Sequence, residues 1–158
     1  MIKSVTVINH LNQSMDIVLG DPDSSGFLIY DITGIGPPKA TINTTQNASG
    51  DGNTYNSAKV GERNIVIMMK FVGDDIESVR QKTYKYDPLK KEITFIVETD
   101  NRRCSIHGHV ESNEPVIFSQ EEYTQISIIC PSPYFEDVGE YSEVTTIFYG
   151  VEPLFEFP

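Results

Sequence analysis

Polar and apolar residues alternate along most of the chain with a period of two. Residues 2–9 set Ile2, Ser4, Thr6 and Ile8 against Lys3, Val5, Val7 and Asn9, which is the pattern of a strand with two distinct faces. Met15 to Leu19 reads as a second, short strand. Gly20-Asp-Pro-Asp-Ser-Ser-Gly26 follows, rich in residues that favour turns. Phe27 to Ile32 is largely apolar between turns and is expected to be a buried strand. Asn64 to Phe71 has the strongest strand pattern. Ile65, Ile67, Met69 and Phe71 lie on one face and Val66 and Met68 on the other, so a central strand covered on both sides is expected. Further strands are expected at Glu92–Glu98 (Ile93, Phe95 and Val97 inward), Arg102–Glu111 (Cys104 and Ile106 inward), Pro115–Ser119, Tyr123–Cys130 and Val144–Tyr149. Such spacing, with polar turns between, is that of an all-β meander.

One segment breaks the period. Ile76, Val79, Thr83 and Tyr84 recur at helical spacing, and Asp74 with Glu77 three residues on has the form of a capping box. Tyr86-Asp87-Pro88 ends the helix, because the residue before proline is pushed out of α. Being amphipathic, this helix is expected to lie across one sheet face.

Three stretches carry turn or arm chemistry. Gly34-Ile-Gly-Pro-Pro38 predicts a sharp bend. Ala40 to Thr45 alternates, and Thr44 to Ala58 is polar for longer than a bare loop in a compact domain usually runs. With Asp51-Gly52 as a hairpin dipeptide, the preferred form is a protruding β-hairpin arm. Ile126 to Cys130 is a strand that stops at Pro131 and Pro133, leaving Tyr134 and Phe135 as two rings on a stiff corner. Rings held so either close a core, the favoured reading, or fill a partner's groove.

Composition narrows the function. The chain has 158 residues, about one domain. Trp is absent and Ala scarce, so Ile, Val, Phe and Tyr must form the core, a bias toward strands. The net charge of −11 argues against binding a nucleic-acid backbone, and suits either plain solubility or a wall that DNA slides past. Cys104 and Cys130 read as two free buried thiols, with a single bridge between them as the alternative. No apolar run approaches a membrane span, and the N-terminus lacks a signal peptide's core, so assembly in a cytoplasm is expected.

Candidate chemistry is sparse. Asp21-Pro-Asp-Ser-Ser-Gly26 opens like a calcium loop, but Ile32 stands where a bidentate Glu is needed. His107 and His109 share a strand face without a visible third ligand, so two partly exposed histidines is the favoured reading. Asp74-Asp75 and Glu121-Glu122 are adjacent pairs, which do not by themselves make a general acid/base couple. No nucleophile elbow, phosphate loop or dinucleotide fingerprint is present. The expectation is no enzyme, no metal and no cofactor.

Four segments, in order, resemble the N-terminal domain of siphophage distal tail proteins: residues 34–42 (GIGPPKATI), 61–67 (GERNIVI), 130–135 (CPSPYF) and 148–158 (FYGVEPLFEFP). The resemblance implies a mainly β (α+β), tail-tube-like fold, a β-sandwich or split barrel with one flanking α-helix and a long β-hairpin arm. It implies a structural tail-tip protein in the virion: a homohexameric baseplate-hub ring joining the tail tube to the tail fibre or lysin protein and the receptor-binding apparatus. DNA would pass through without specific binding, and no membrane insertion is implied. Residues 1–150 would be the ring-forming domain and 151–158 the junction to a C-terminal domain that is missing or minimal. Interface candidates are Lys39, Thr41, Asn43, Thr45, Asn47, Asp51, Asn53 and Tyr55 on the arm, with Tyr134 and Phe135 on the late corner. The alternative is a monomeric carbohydrate-binding β-sandwich using Tyr55, Tyr123 and Tyr141. A tail lysin, whose activity would depend on His107 or a nearby acid, ranks last.

Overall fold

The alternating segments form one curled antiparallel sheet. In the computed structural model, which describes residues 1–118 and 120–138, the sheet runs β2-β1-β7-β8-β9-β6-β3. Its strands are β1 (Ile2–Ile8), β2 (Ser14–Val18), β3 (Phe27–Thr33), β6 (Arg63–Phe71), β7 (Glu92–Thr99), β8 (Arg103–Val116) and β9 (Tyr123–Cys130). The expected mainly β fold with a single long helix is present. Inward positions from every strand, among them Val5, Ile17, Phe27, Ile67, Phe95, Ile106 and Ile128, merge into one core cluster. Each fully buried side chain of this kind contributes about 1.5–3 kcal/mol. A one-turn helix, α1 (Pro22–Ser25), touches both β2 and β3 and so bridges the two ends of the described sheet. That arrangement is a split barrel.

The structure corrects several expectations. The turn at residues 20–26 contains α1, with Pro22 in its first turn. β3 is an edge strand with only Phe27 fully buried, because an edge has one neighbour and one covered face. In β6, Ile65, Ile67, Met69 and Phe71 are buried as expected, but Val66 and Met68 on the other face are only half-buried. The two strands expected at 102–111 and 115–119 are one, β8, kinked by a bulge between Val110 and Ser112. Pro115 is tolerated because β7 has already ended, so β8 pairs with β9 alone there. Glu136–Asp137 adds a short strand, β10, that pairs with Ser105 and Cys104 of β8. The strand expected at 144–149 and the junction at 151–158 lie outside the described residues.

The long helix, α2 (Ile76–Tyr86), is capped by Asp75 rather than Asp74, its carboxylate accepting from Ser78 N at 3.2 Å. The frame is set by burial of Val79 and Thr83. It packs against β6 and β8, near the residue that follows β1. Three polar ties hold it: Asn113 donates to Thr83 Oγ1 (3.0 Å), Asn9 Nδ2 to the Lys85 carbonyl (3.0 Å), and Lys82 Nζ to the Ser25 carbonyl (3.2 Å). No helix among the described residues is long and apolar enough to cross a membrane.

Asp87 ends α2 and is buried, with Oδ1 making no hydrogen bond. Burial pushes its carboxyl up to about 7. Its position at the negative end of a helix disfavours the charged form too. Below about pH 4 both folded and unfolded states hold the proton. Between there and pH 7 only the folded state does, so stability falls as pH rises. The stability of Asp87→Asn relative to the parent should therefore rise between pH 4 and 8, by roughly 4 kcal/mol; urea titrations at several pH values measure this, and a pH-independent difference would contradict it.

Cys104 and Cys130 are free and buried. Cys104 lies four positions along β8 from Gly108, the residue facing Cys130, a separation of roughly 13 Å at strand rise. A bridge needs Cα atoms within about 7 Å, so these two stay apart. Burial pushes both thiols up to about 11. A thiol reagent at neutral pH should label neither in the native protein and both in denaturant; rapid native labelling would contradict this burial.

Candidate assembly interface

The arm is a two-stranded sheet of its own. β4 (Ala40–Gln46) pairs with β5 (Asn53–Val60), and the expected hairpin is present. Its turn spans residues 47–52, longer than a two-residue turn, and Gly52 supplies the left-handed φ of +79°. A bulge between Asn43 and Thr44 sets the faces. One face holds the paired residues Thr41 and Lys59, Asn43 and Ser57, Thr45 and Thr54. Amides and hydroxyls cross-link the strands: Asn43 Nδ2 donates to Ser57 Oγ (3.0 Å), and Asn53 Nδ2 to Thr44 Oγ1 (3.2 Å). The other face carries Ala40 with Val60, Ile42 with Ala58, and Tyr55 opposite Thr44. Ile42 is 55% exposed and Tyr55 63% exposed. An isolated two-stranded hairpin is marginal in water, and here its apolar face is left largely uncovered.

The roots of this arm meet at Arg63, the first residue of β6, whose side chain is only 6% exposed. Its Nη1 donates to the Gly34 carbonyl (2.7 Å) and the Gly36 carbonyl (2.6 Å), and its Nε to the Pro133 carbonyl (2.7 Å). The guanidinium carbon lies 5.0 Å from the centre of the Phe135 ring. Burial pulls the guanidinium below its ordinary pKa. It still keeps its charge, as arginine does in proteins. Gly34 makes the bend: its φ is +86°, and a Cβ there would stand 2.0 Å from the Asn64 carbonyl oxygen. A groove of about 670 Å³ opens beside this end of the barrel, with Ile2, Ile32, Ile35 and Pro37 as apolar lining and Asp100 at its rim.

The structure divides the sequence candidates. Thr41, Asn43 and Thr45 share the polar face, Tyr55 stands on the apolar face, and Asn47, Asp51 and Asn53 lie at the tip. Lys39 sits just before β4 and is exposed. Tyr134 is half-buried. Phe135 lies in the core: at 2% exposure its ring sits beneath Arg63, the core-closing role favoured for that corner. Sequence reasoning missed Ile42, Ala58 and Val60 as surface, although the alternation of Ala40 and Ile42 with Thr41 and Asn43 marks one apolar face. It assigned Arg63 no role beyond starting a strand.

The other candidates stay apart. Tyr55 is on the arm and Tyr123 begins β9 at the far end of the barrel, so these two form no joint sugar-stacking platform; Tyr141 lies outside the described residues. His107 and His109 share the outer face of β8 as expected. His107 Nδ1 faces Thr94 Oγ1 at 3.0 Å and His109 Nδ1 the Lys90 carbonyl at 3.1 Å. No group of three or more metal-ligating side chains occurs among the described residues, and this holds for the Asp21–Gly26 segment too.

Solved structures share this architecture. The Dit hub protein of phage SPP1, of the adsorption apparatus of phages that infect Gram-positive bacteria, superposes with a TM-score of 0.61 at 13% identity over 85% of this chain. The two proteins share a fold. Two structures of the activated baseplate of phage p2 agree. The strontium form has a TM-score of 0.60 at 10% identity over 79% of this chain, and the calcium form 0.61 at 11% over 81%. This chain spans 52% of the SPP1 hub protein and 43% and 44% of the p2 chains. No protein-family model and no curated protein sequence matches it.

Gly34→Ala should cost at least about 2 kcal/mol, because the left-handed φ and the Asn64 carbonyl both oppose a side chain. Gly36→Ala, with open space around its Cβ and no positive φ, should be near neutral. Paired urea titrations check the contrast, and equal effects would contradict the bend.

Proposed function

We propose that this chain is a structural protein of a phage tail tip, whose copies form a homohexameric ring between the tail tube and the fibre, lysin and receptor-binding proteins below. The observation that carries the reading is the arm, with the hub fold as its setting. A hairpin whose apolar face (Ala40, Ile42, Tyr55, Ala58, Val60) is largely uncovered in the protomer gains stability by docking on a neighbouring copy. An arm on one surface and its receptor on another make a head-to-tail contact, which closes into a ring when the rotation allows. The net charge of −11 suits a channel through which DNA passes without sticking. Assembly in the host cytoplasm and residence in the virion follow from the same role.

Light scattering after size exclusion, over a concentration series, should report a six-fold mass or a rise toward it. Deleting Gln46–Asn56, or replacing Ile42 by Asp, should leave a monomer whose melting is unchanged within about 0.5 kcal/mol, since both sites are exposed. A parent that stays monomeric even with a tail-tube ring as template, or a deletion variant that still assembles, would remove the arm from this role.

A further inference from the structure

We infer that Arg63 is a positioning residue that holds the arm in one pose relative to the barrel. The hairpin forms a sheet of its own and pairs with no strand of the barrel. Its direction must therefore be set at its two roots. The first root is Gly34 to Pro38, and the second is Gly61-Glu62, which leads directly into Arg63. One guanidinium reaches both. Its Nη1 holds the Gly34 and Gly36 carbonyls, and the Pro37-Pro38 pair that follows has fixed φ angles and hands that position stiffly to β4. Its Nε holds Pro133, which anchors the clamp to the loop between β9 and β10, and the Phe135 ring lies under the guanidinium. Among the described residues no carboxylate forms an ion pair with Arg63.

The chemistry suits posing rather than bulk stability alone. A planar fork fixes direction as well as distance, which an ammonium does not. Four neighbouring contacts, three carbonyls and a ring, come from segments 27, 29 and 70 residues away in sequence for the carbonyls. A plain core side chain at the head of β6 would fill the space and leave the first root free to swing. The use of this pose in assembly rests on the ring reading. The pose itself does not, and it is measured where no ring is needed.

Spin labels at Ser49→Cys on the arm tip and Glu98→Cys on β7 report the distance between arm and barrel. The native cysteines are buried and stay unlabelled. Diluting labelled protein into unlabelled parent keeps the measured distances within one copy. The parent should give one narrow distance distribution, and Arg63→Lys should broaden it at least two-fold. Ile67→Val, a core change on the same strand, should melt earlier yet keep the narrow distribution, which separates posing from stability. Should Arg63→Lys fail to fold, Phe135→Leu, which removes the ring that orients the guanidinium, is read instead and should broaden the distribution too. A broad distribution in the parent, or an unchanged narrow one in the folded Arg63 or Phe135 variant, overturns the inference.

Discussion

A buried cation held by main-chain carbonyls constrains the whole arm-bearing end of this protein. Arg63 cannot give up its charge, and a charge removed from water is costly unless polar groups replace the water. Here those groups are main-chain carbonyls of Gly34, Gly36 and Pro133, at 2.6–2.7 Å, with an aromatic face below. The carbonyls can only converge if the bend at Gly34 and the loop at Pro131–Phe135 take the paths they do. The left-handed φ of Gly34, the burial of Phe135 and the start of β6 are thus parts of one requirement. That loop interrupts a single line of strand: β9 leaves β8 at Cys130, and β10 returns to it at Ser105.

The two ends of the barrel are closed by different means. At the Arg63 end a charged fork binds loops together. At the other end α2 is held by side-chain hydrogen bonds with Asn113, Asn9 and the Ser25 carbonyl, and by Val79 against Gly26. Asp87, an acid with one unpartnered oxygen, lies in that second closure. Its buried carboxyl makes the helix end sensitive to pH. The split between β2 and β3 is bridged by α1 without strand pairing, so among the described residues the barrel keeps two free strand edges.

The arm differs in polarity between its two faces. Its polar face satisfies itself through cross-strand bonds of Asn43 to Ser57 and Asn56 to Thr45, and its apolar face remains largely open. The shared fold with phage hub and baseplate proteins gives that asymmetry a setting. The calcium-loop and histidine candidates lack the further ligands that chemistry would need among the described residues.

Much of this was legible from local pattern. Period two in residues 2–8, 63–71, 92–99 and 123–130 is a property of the strand itself, since alternate side chains must point to opposite faces, and it located those strands and their inward residues. The helix at 76–86 and the hairpin at 40–60 were readable for the same reason: periodicity and turn chemistry are local. What a residue faces is not local. The sequence could not show that Phe27–Thr33 would be an edge, that residues 103–116 would run as one strand past Pro115, or that Phe135 would lie under Arg63. Those outcomes depend on contacts between segments up to 70 residues apart, as in the bond from Arg63 to Pro133. The sequence alone determined the elements and the polarity of their faces. Only the tertiary structure decided which faces were covered, because coverage depends on the curl of the sheet and on which distant segments it brings together.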